Sequence, residues 1–242
     1  MAKRPAARSN AQLRAQSRVQ SRVESRAAEL LVELKRRGSK SFRDAMGPRF
    51  GIFAKHAYGV PIAKIQALAQ EIGRDHKLAA ALWKTGLYEA RLLAAFIDEP
   101  GKVSPAQMDR WAKDFDNWGL VDTVCFKLFD QTPHAFGRVD KWAQAEAEFV
   151  KRAAFALLAS LALHTKNNDG EIAKRLALIE KAATDERNFV KKGVSWALRA
   201  IGGKRPKLAA KAHALAAKLA ASDDAAKRWI GKDAMRDFTR KA

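Results

Sequence analysis

Trp118 and Asp122 stand four residues apart in the segment Asn117-Trp118-Gly-Leu-Val-Asp122. On an α-helix, residues four apart differ by roughly 40° around the axis and ~6 Å along it, so the indole and the carboxylate share one face. In a basic groove, a carboxylate beside an aromatic plate attracts a cation and stabilises one that forms during a reaction. Two ordinary readings compete with that chemistry: the carboxylate pairs with a nearby Arg or Lys, or it caps or anchors a neighbouring helix. Trp196 and Trp229 are ambiguous in the same way, since a tryptophan at helical spacing is more often core than ligand platform. Cys125, one turn beyond Asp122, reads as a small buried core residue rather than a nucleophile. The five histidines, His56, His76, His134, His164 and His213, show no ligand spacing and read as structural or surface residues. No metal site, nucleotide cofactor motif or Gly-rich phosphate loop is visible, so no cofactor is expected.

The elements that must position these groups are helices. Period-3.6 patterning runs through most of the chain and period-2 alternation is nearly absent, which makes the fold all-α. Pro61, Ser104-Pro105 and Thr132-Pro133 mark helix starts, and Gly38, Gly86, Gly170 and Gly202-Gly203 mark breaks. The pattern predicts helices near 10–36, 62–73, 76–84, 87–97, 105–115, 118–130, 139–146, 149–164, 170–183, 187–201, 206–220 and 223–239. Glu148-Phe-Val-Lys-Arg-Ala-Ala-Phe-Ala-Leu-Leu158 returns as Asn188-Phe-Val-Lys-Lys-Gly-Val-Ser-Trp-Ala-Leu198, an offset of 40 residues (188 minus 148). A 40-residue echo in a helical chain is the mark of stacked antiparallel hairpins, a HEAT-like α-solenoid. The echo sets Arg152 and Lys192 at one repeat position, and weaker echoes put Arg91 and Arg228 there too. In a single register these four cations line one wall of a concave basic face.

Composition points the same way. The chain has 46 Lys and Arg against 26 Asp and Glu, a formal charge of +20 on 242 residues, which favours a polyanion as partner. Between Asn188 and Ser222 there are 8 basic residues and no acid. Residues 1–22 hold six basic residues, no acid and almost nothing large and apolar, and read as a flexible basic arm ahead of one domain over 23–242. Arg14, Arg18, Arg22 and Arg26 recur every four residues and form a stripe suited to phosphates wherever that arm is helical. No segment approaches the roughly 18 to 20 apolar residues that cross a membrane, so nucleic acid is the expected polyanion. One Cys rules out an internal disulfide and a Cys-rich metal site, and a reducing cytoplasmic setting, with association to the nucleoid, is the default.

Trp118-x-x-x-Asp122, Arg152 in Phe-Val-Lys-Arg-Ala-Ala, and Trp196 in Phe-Val-Lys-Lys-Gly-Val-Ser-Trp-Ala-Leu-Arg together resemble the AlkD-type DNA alkylation repair family, HEAT-like alkylpurine DNA glycosylases. The resemblance is clearest from Asn117 to Arg199. It implies that Asp122 is the catalytic carboxylate, Trp118 and Trp196 the DNA-facing aromatics, and Arg152 a phosphate contact. It also implies a monofunctional glycosylase that removes N3- or N7-alkylated purines from duplex DNA, and the chain is expected to act as a monomer. Gly119 stands where the family often has an acidic residue, and Phe50, Phe53 and Tyr58 are candidates for its N-terminal DNA-facing tyrosine. Two other classes stay open: a non-catalytic HEAT-like module that binds damaged or branched DNA, and a basic solenoid that docks an acidic protein.

Overall fold

The computed structural model of the chain describes residues 10–240, all of them helical or in links and without a strand. Residues 1–9 of the basic segment lie outside the described residues, and residues 10–22 form the first turns of a helix. By their contacts the helices group into two compact units, one holding the chain up to Met46 with Lys55–Asp98, the other Gly47–Ala54 with Glu99 onward.

The first unit contains α1 (Asn10–Arg37), most of α2 (Lys40–Phe50), α3 (Ile62–Ile72), α4 (His76–Lys84) and α5 (Tyr88–Ile97). Core contacts of α1 begin at Ala27, Leu30 and Leu34, and ahead of them Arg14, Arg18 and Arg22 stand exposed to solvent. Sequence reasoning did not foresee α2, because Gly47 and Pro48 sit inside it and both ordinarily break helices. They fall in its last turn, so the bond that the proline cannot donate is lost with only two residues of helix still to follow, and Gly51 at φ +63° ends the chain's run as only glycine does easily. Glu89 is fully buried. Its carboxylate accepts the backbone N–H groups of Tyr58, Gly59 and Val60, so a charge on α5 satisfies a loop that no helix could.

The second unit runs as successive helix pairs, α6 (Pro105–Lys113) and α7 (Trp118–Lys127), α8 (Ala135–Trp142) and α9 (Glu148–His164), α10 (Asp169–Lys174) and α11 (Leu176–Ala182) before α12 (Asn188–Lys204), and α13 (Pro206–Ala220) and α14 (Ala225–Thr239), of which α8 with α9, α11 with α12 and α13 with α14 pack as hairpins. The second helices pack in succession, α7 on α9, α9 on α12 and α12 on α14. The echoing segments are the starts of α9 and α12, both 17 residues long. Phe149 and Phe189, one repeat apart, lie with ring centroids 5.2 Å from each other. Eleven residues of α9 are buried, from Arg152 through Ala162, many of them alanines. A helix apolar all round belongs at the centre of a unit, and its small side chains let α7, α8 and α12 approach on several sides.

Several boundaries differ from the sequence reading, and the helix expected over 118–130 ends at Lys127, ahead of a separate 3-10 turn at Phe129–Gln131. The helix expected over 170–183 is interrupted at Arg175, whose buried guanidinium reaches Asp140 and Glu171. The helix expected over 139–146 runs from Ala135 to Trp142, because Pro133 and His134 form a turn ahead of it. Gly202 and Gly203 do not break α12 but lie in its last turn. A Cβ on Gly202 would sit 2.4 Å from the Phe238 ring, so the glycine is there for close packing by α14.

Asp185, in the link before α12, ties repeats together. It accepts Arg187 Nε and Nη2 at 2.8 and 2.5 Å and Lys151 Nζ on α9 at 3.1 Å. Hydrogen bonds from Arg187 outweigh burial and, with Lys151, hold its carboxyl down at about 2, from an ordinary 3.8. A depressed carboxyl stabilises the fold above the unfolded value, and that stability is lost as pH falls through about 2. Asp185→Asn is expected to cost about 1 to 2 kcal/mol at neutral pH, discounted for the part-exposed Arg187, and to flatten the acid limb of stability. Urea unfolding of both proteins at pH 7 and at acid pH checks this.

Candidate functional site

The second helices of these pairs deliver their side chains to one open cleft of about 680 Å³ in the second unit, a size typical of small-ligand sites. Asn117 caps α7 by accepting the N–H of Leu120 at 2.9 Å, which fixes the first turn where Trp118 stands. The Trp118 indole N–H donates to the Phe50 carbonyl at 3.0 Å, so the ring is pinned edge-on while remaining partly exposed.

One turn on, Asp122 meets Arg152 of α9 in a two-pronged pair, Nε to Oδ1 at 3.0 Å and Nη2 to Oδ2 at 2.7 Å. Arg152 Nη1 donates to the Phe189 carbonyl at 2.8 Å. Arg152 is 5% exposed and its fork is occupied by protein, so it holds Asp122 in place instead of projecting toward solvent. Burial pushes the Asp122 carboxyl above its ordinary range, and the Arg152 charge and hydrogen bonds pull against that rise. Cys125, fully buried beneath this pair, has its thiol pushed well up by burial and by the Asp122 and Asp130 charges. It fills space and is not an activated nucleophile.

From α12 come Asn188, Phe189, Lys192, Trp196 and Arg199; from Phe189 onward these are three or four apart and form one stripe along the helix. Lys192 is exposed and Trp196 partly so. From α14 come Trp229 and Asp233. Thus Trp118, Asp122, Arg152, Lys192 and Trp196 share the cleft. Arg228 is directed elsewhere: its guanidinium donates to the carbonyls of Ser222 and Asp223 at 2.9 and 3.0 Å, closing the turn before α14. Arg91 belongs to the first unit, where it lies over the Trp83 ring at 5.3 Å. Of the aromatics considered for the N-terminal position, Phe50 lines the cleft. Sequence reasoning missed Arg199 and Asp233. A signal for Asp233 was present, since Trp229 precedes it by the same four residues as Trp118 precedes Asp122.

The profile of a family described as DNA alkylation repair enzyme matches residues 32–238. The chain belongs to that family. Its fold is similar to a solved structure described as a new family of proteins related to the HEAT-like repeat DNA glycosylases with affinity for branched DNA structures. That match has a TM-score of 0.71 at 21% identity, over 86% of this chain and 94% of the other. A designed armadillo repeat protein in complex with a (KR)4 peptide aligns with a TM-score of 0.44 and 14% identity, over 92% of this chain and 94% of that one. No curated protein matches the chain. As a member of the DNA alkylation repair family the chain is an all-α, HEAT-like solenoid, and among its described residues no helix is long and apolar enough to cross a membrane.

Proposed function

We propose that this chain hydrolyses the N-glycosidic bond of N3- or N7-alkylated purines in duplex DNA. The observation that carries the reading is the meeting of Asp122, Trp118, Trp196 and Lys192 in one cleft, with Arg152 orienting the carboxylate. A ring-alkylated purine already bears a positive charge, so it departs as a neutral base, taking the bond's electron pair without being protonated. The sugar left behind becomes oxocarbenium-like, and water adds to its anomeric carbon and gives up one proton to bulk solvent, which leaves the abasic sugar as the second product. Asp122 stabilises that cation electrostatically and orients the water. The partly exposed indoles of Trp118 and Trp196 add cation–π attraction of about 0.5 to 2 kcal/mol. All these groups come from one chain, so a monomer suffices.

Lys192 is the phosphate contact in this scheme. Lys192→Ala should weaken binding to unrelated duplexes about equally and lower the salt slope of log affinity by roughly 1. Lys174→Glu on α10, outside the cleft and already paired with Glu171 at 2.5 Å, should do much less. Fluorescence anisotropy across a salt series measures both.

A second reading is favoured by the same pair. Arg152 occupies both oxygens of Asp122, and the structural relative is described as having affinity for branched DNA. On that reading the cleft binds DNA without cutting the glycosidic bond. Incubation with DNA treated with a methylating agent separates the two. Free alkylated purines and abasic sites support the glycosylase, whereas intact lesions together with tight binding to branched junctions support the binding module.

A further inference from the structure

Helix α1 repeats a four-residue word. Gln16-Ser17-Arg18-Val19 returns as Gln20-Ser21-Arg22-Val23 and then as Glu24-Ser25-Arg26-Ala27. The third copy departs where the core begins: Ala27 is buried, and Glu24 accepts Gln20 Nε2 at 2.6 Å. The two parts of the helix treat charge differently. Residues 23–37 hold four basic and three acidic residues, and these pair, Arg26 with Glu29 at 2.9 Å and Arg36 and Arg37 with Glu33 at 2.7 and 2.6 Å. Residues 10–22 hold three arginines and no acid. A helix that is merely solvated interleaves the two signs, as the second part does, because like charges four residues apart repel.

Arg14, Arg18 and Arg22 are exposed and pair with no acid among the described residues. Arginines that serve the fold are engaged by it: Arg152, Arg175 and Arg205 are buried, and each reaches a carboxylate. From one arginine of the stripe to the next the helix rises ~6 Å and turns by about 40°, so the three guanidinium groups follow one flank over ~12 Å. Ser17 and Ser21, also exposed, stand three residues beyond Arg14 and Arg18 and are their neighbours on the helix surface. Arginine forks and serine hydroxyls are both donors suited to phosphate oxygens. The segment 10–26 has only Leu13, Val19 and Val23 as large apolar residues and no aromatic. It therefore lacks the apolar face that would lay it on a membrane and the rings on which unpaired bases stack. What remains is the backbone of a duplex, with one charge per ~1.7 Å of its axis.

We propose that Arg14, Arg18 and Arg22 form a further DNA contact of this chain, additional to Lys192, in which the Gln-Ser-Arg-Val repeat of α1 grips the phosphates of duplex DNA without reading its sequence. The inference rests on the proposed DNA partner but not on base release. Phosphates also relieve the repulsion among the three arginines, so the repeat is more stable as a helix on DNA than off it. Contacts of this kind hold a protein on intact duplex and let it slide, which suits a chain that must find one lesion among many undamaged base pairs.

The test uses the full chain and an undamaged duplex, with fluorescence anisotropy read across a salt series. The triple variant Arg14→Ala/Arg18→Ala/Arg22→Ala keeps the helix, since alanine is the best helix former and the three side chains are exposed. It should bind about tenfold or more weakly at ~0.1 M salt and lower the salt slope of log affinity by roughly 2 to 3. Arg14→Lys/Arg18→Lys/Arg22→Lys should retain most of the slope, because lysine still neutralises a phosphate as a point charge. An alanine variant with the wild-type slope, while Lys192→Ala lowers it, overturns the α1 contact and leaves the cleft standing. So does an alanine variant that keeps its duplex affinity but loses binding to vesicles of anionic phospholipid, which makes the stripe a membrane contact. A wild type that binds no duplex at any salt concentration overturns the DNA partner itself, and the α1 contact with it.

Discussion

Arg152→Ala should destabilise the protein by about 3 to 5 kcal/mol, the usual consequence of removing one partner of a buried ion pair. Arg152 is 5% exposed and meets Asp122 through two hydrogen bonds. Its loss leaves a carboxylate in a site whose burial already pushes the acid up, and it frees the Phe189 carbonyl that anchors the start of α12. Two adjacent repeats, α9 and α12, are therefore loosened together. Base release should fall as well, because the Asp122 carboxylate is no longer held at one orientation, and small displacements of a reacting group are expensive. The double variant Asp122→Asn/Arg152→Met separates these effects. With both charges removed and the arginine's apolar stem replaced by one of similar length, more than half of the lost stability should return, while base release stays at the level of Asp122→Asn alone. Urea denaturation paired with single-turnover release reads both. An Arg152→Ala protein as stable as wild type would show that the pair is not the buried anchor described above.

Much of the second unit was legible from local pattern. The echo between Glu148 and Asn188 placed the starts of α9 and α12 because a repeat restates in sequence what stacking requires in space. Ser104 caps α6 as its place before Pro105 suggests, accepting the N–H of Gln107, whereas Thr132 caps nothing because α8 starts only at Ala135. The failures have equally local causes. Helix α2 was hidden by Gly47 and Pro48, and the break at Arg175 was hidden by an unbroken apolar period, since the ion pairs that favour it reach residues 140 and 171.

For the site, spacing correctly put Trp118 and Asp122 on one helix face, and the echo brought Arg152 and Lys192 to the same cleft. It did not reveal that identical repeat positions do different jobs. Arg152 turns to a carboxylate 30 residues back, whereas Lys192 is exposed. The difference is set by what the preceding second helix offers at that level: α7 offers Asp122 to α9, a long-range pairing that no window of sequence displays. The same limit applies to Asp233, whose partners Ser195 and Arg199 lie on a different hairpin.

The most direct test of the central claim is single-turnover release of 7-methylguanine from a duplex bearing one such lesion, comparing wild type with Asp122→Asn. Asn keeps the size of the side chain and one oxygen that can accept from Arg152, so the cleft keeps its shape while losing the negative charge. Removing an electrostatic group aimed at developing charge costs about 10²- to 10³-fold in rate in comparable sites, and at least a tenfold loss, or about 1.4 kcal/mol of barrier, is expected here. DNA affinity should hold or rise slightly as a repulsive charge disappears. The pH profile supplies an internal check. Because burial raises the Asp122 carboxyl above the ordinary 3.8, wild-type release should decline on acidification at a pH higher than an ordinary aspartate would give, as the carboxylate takes up its proton. The Asn variant should lack that decline. An Asn variant that releases the base at the wild-type rate, with the same acid limb, would contradict the account and remove Asp122 from the chemistry.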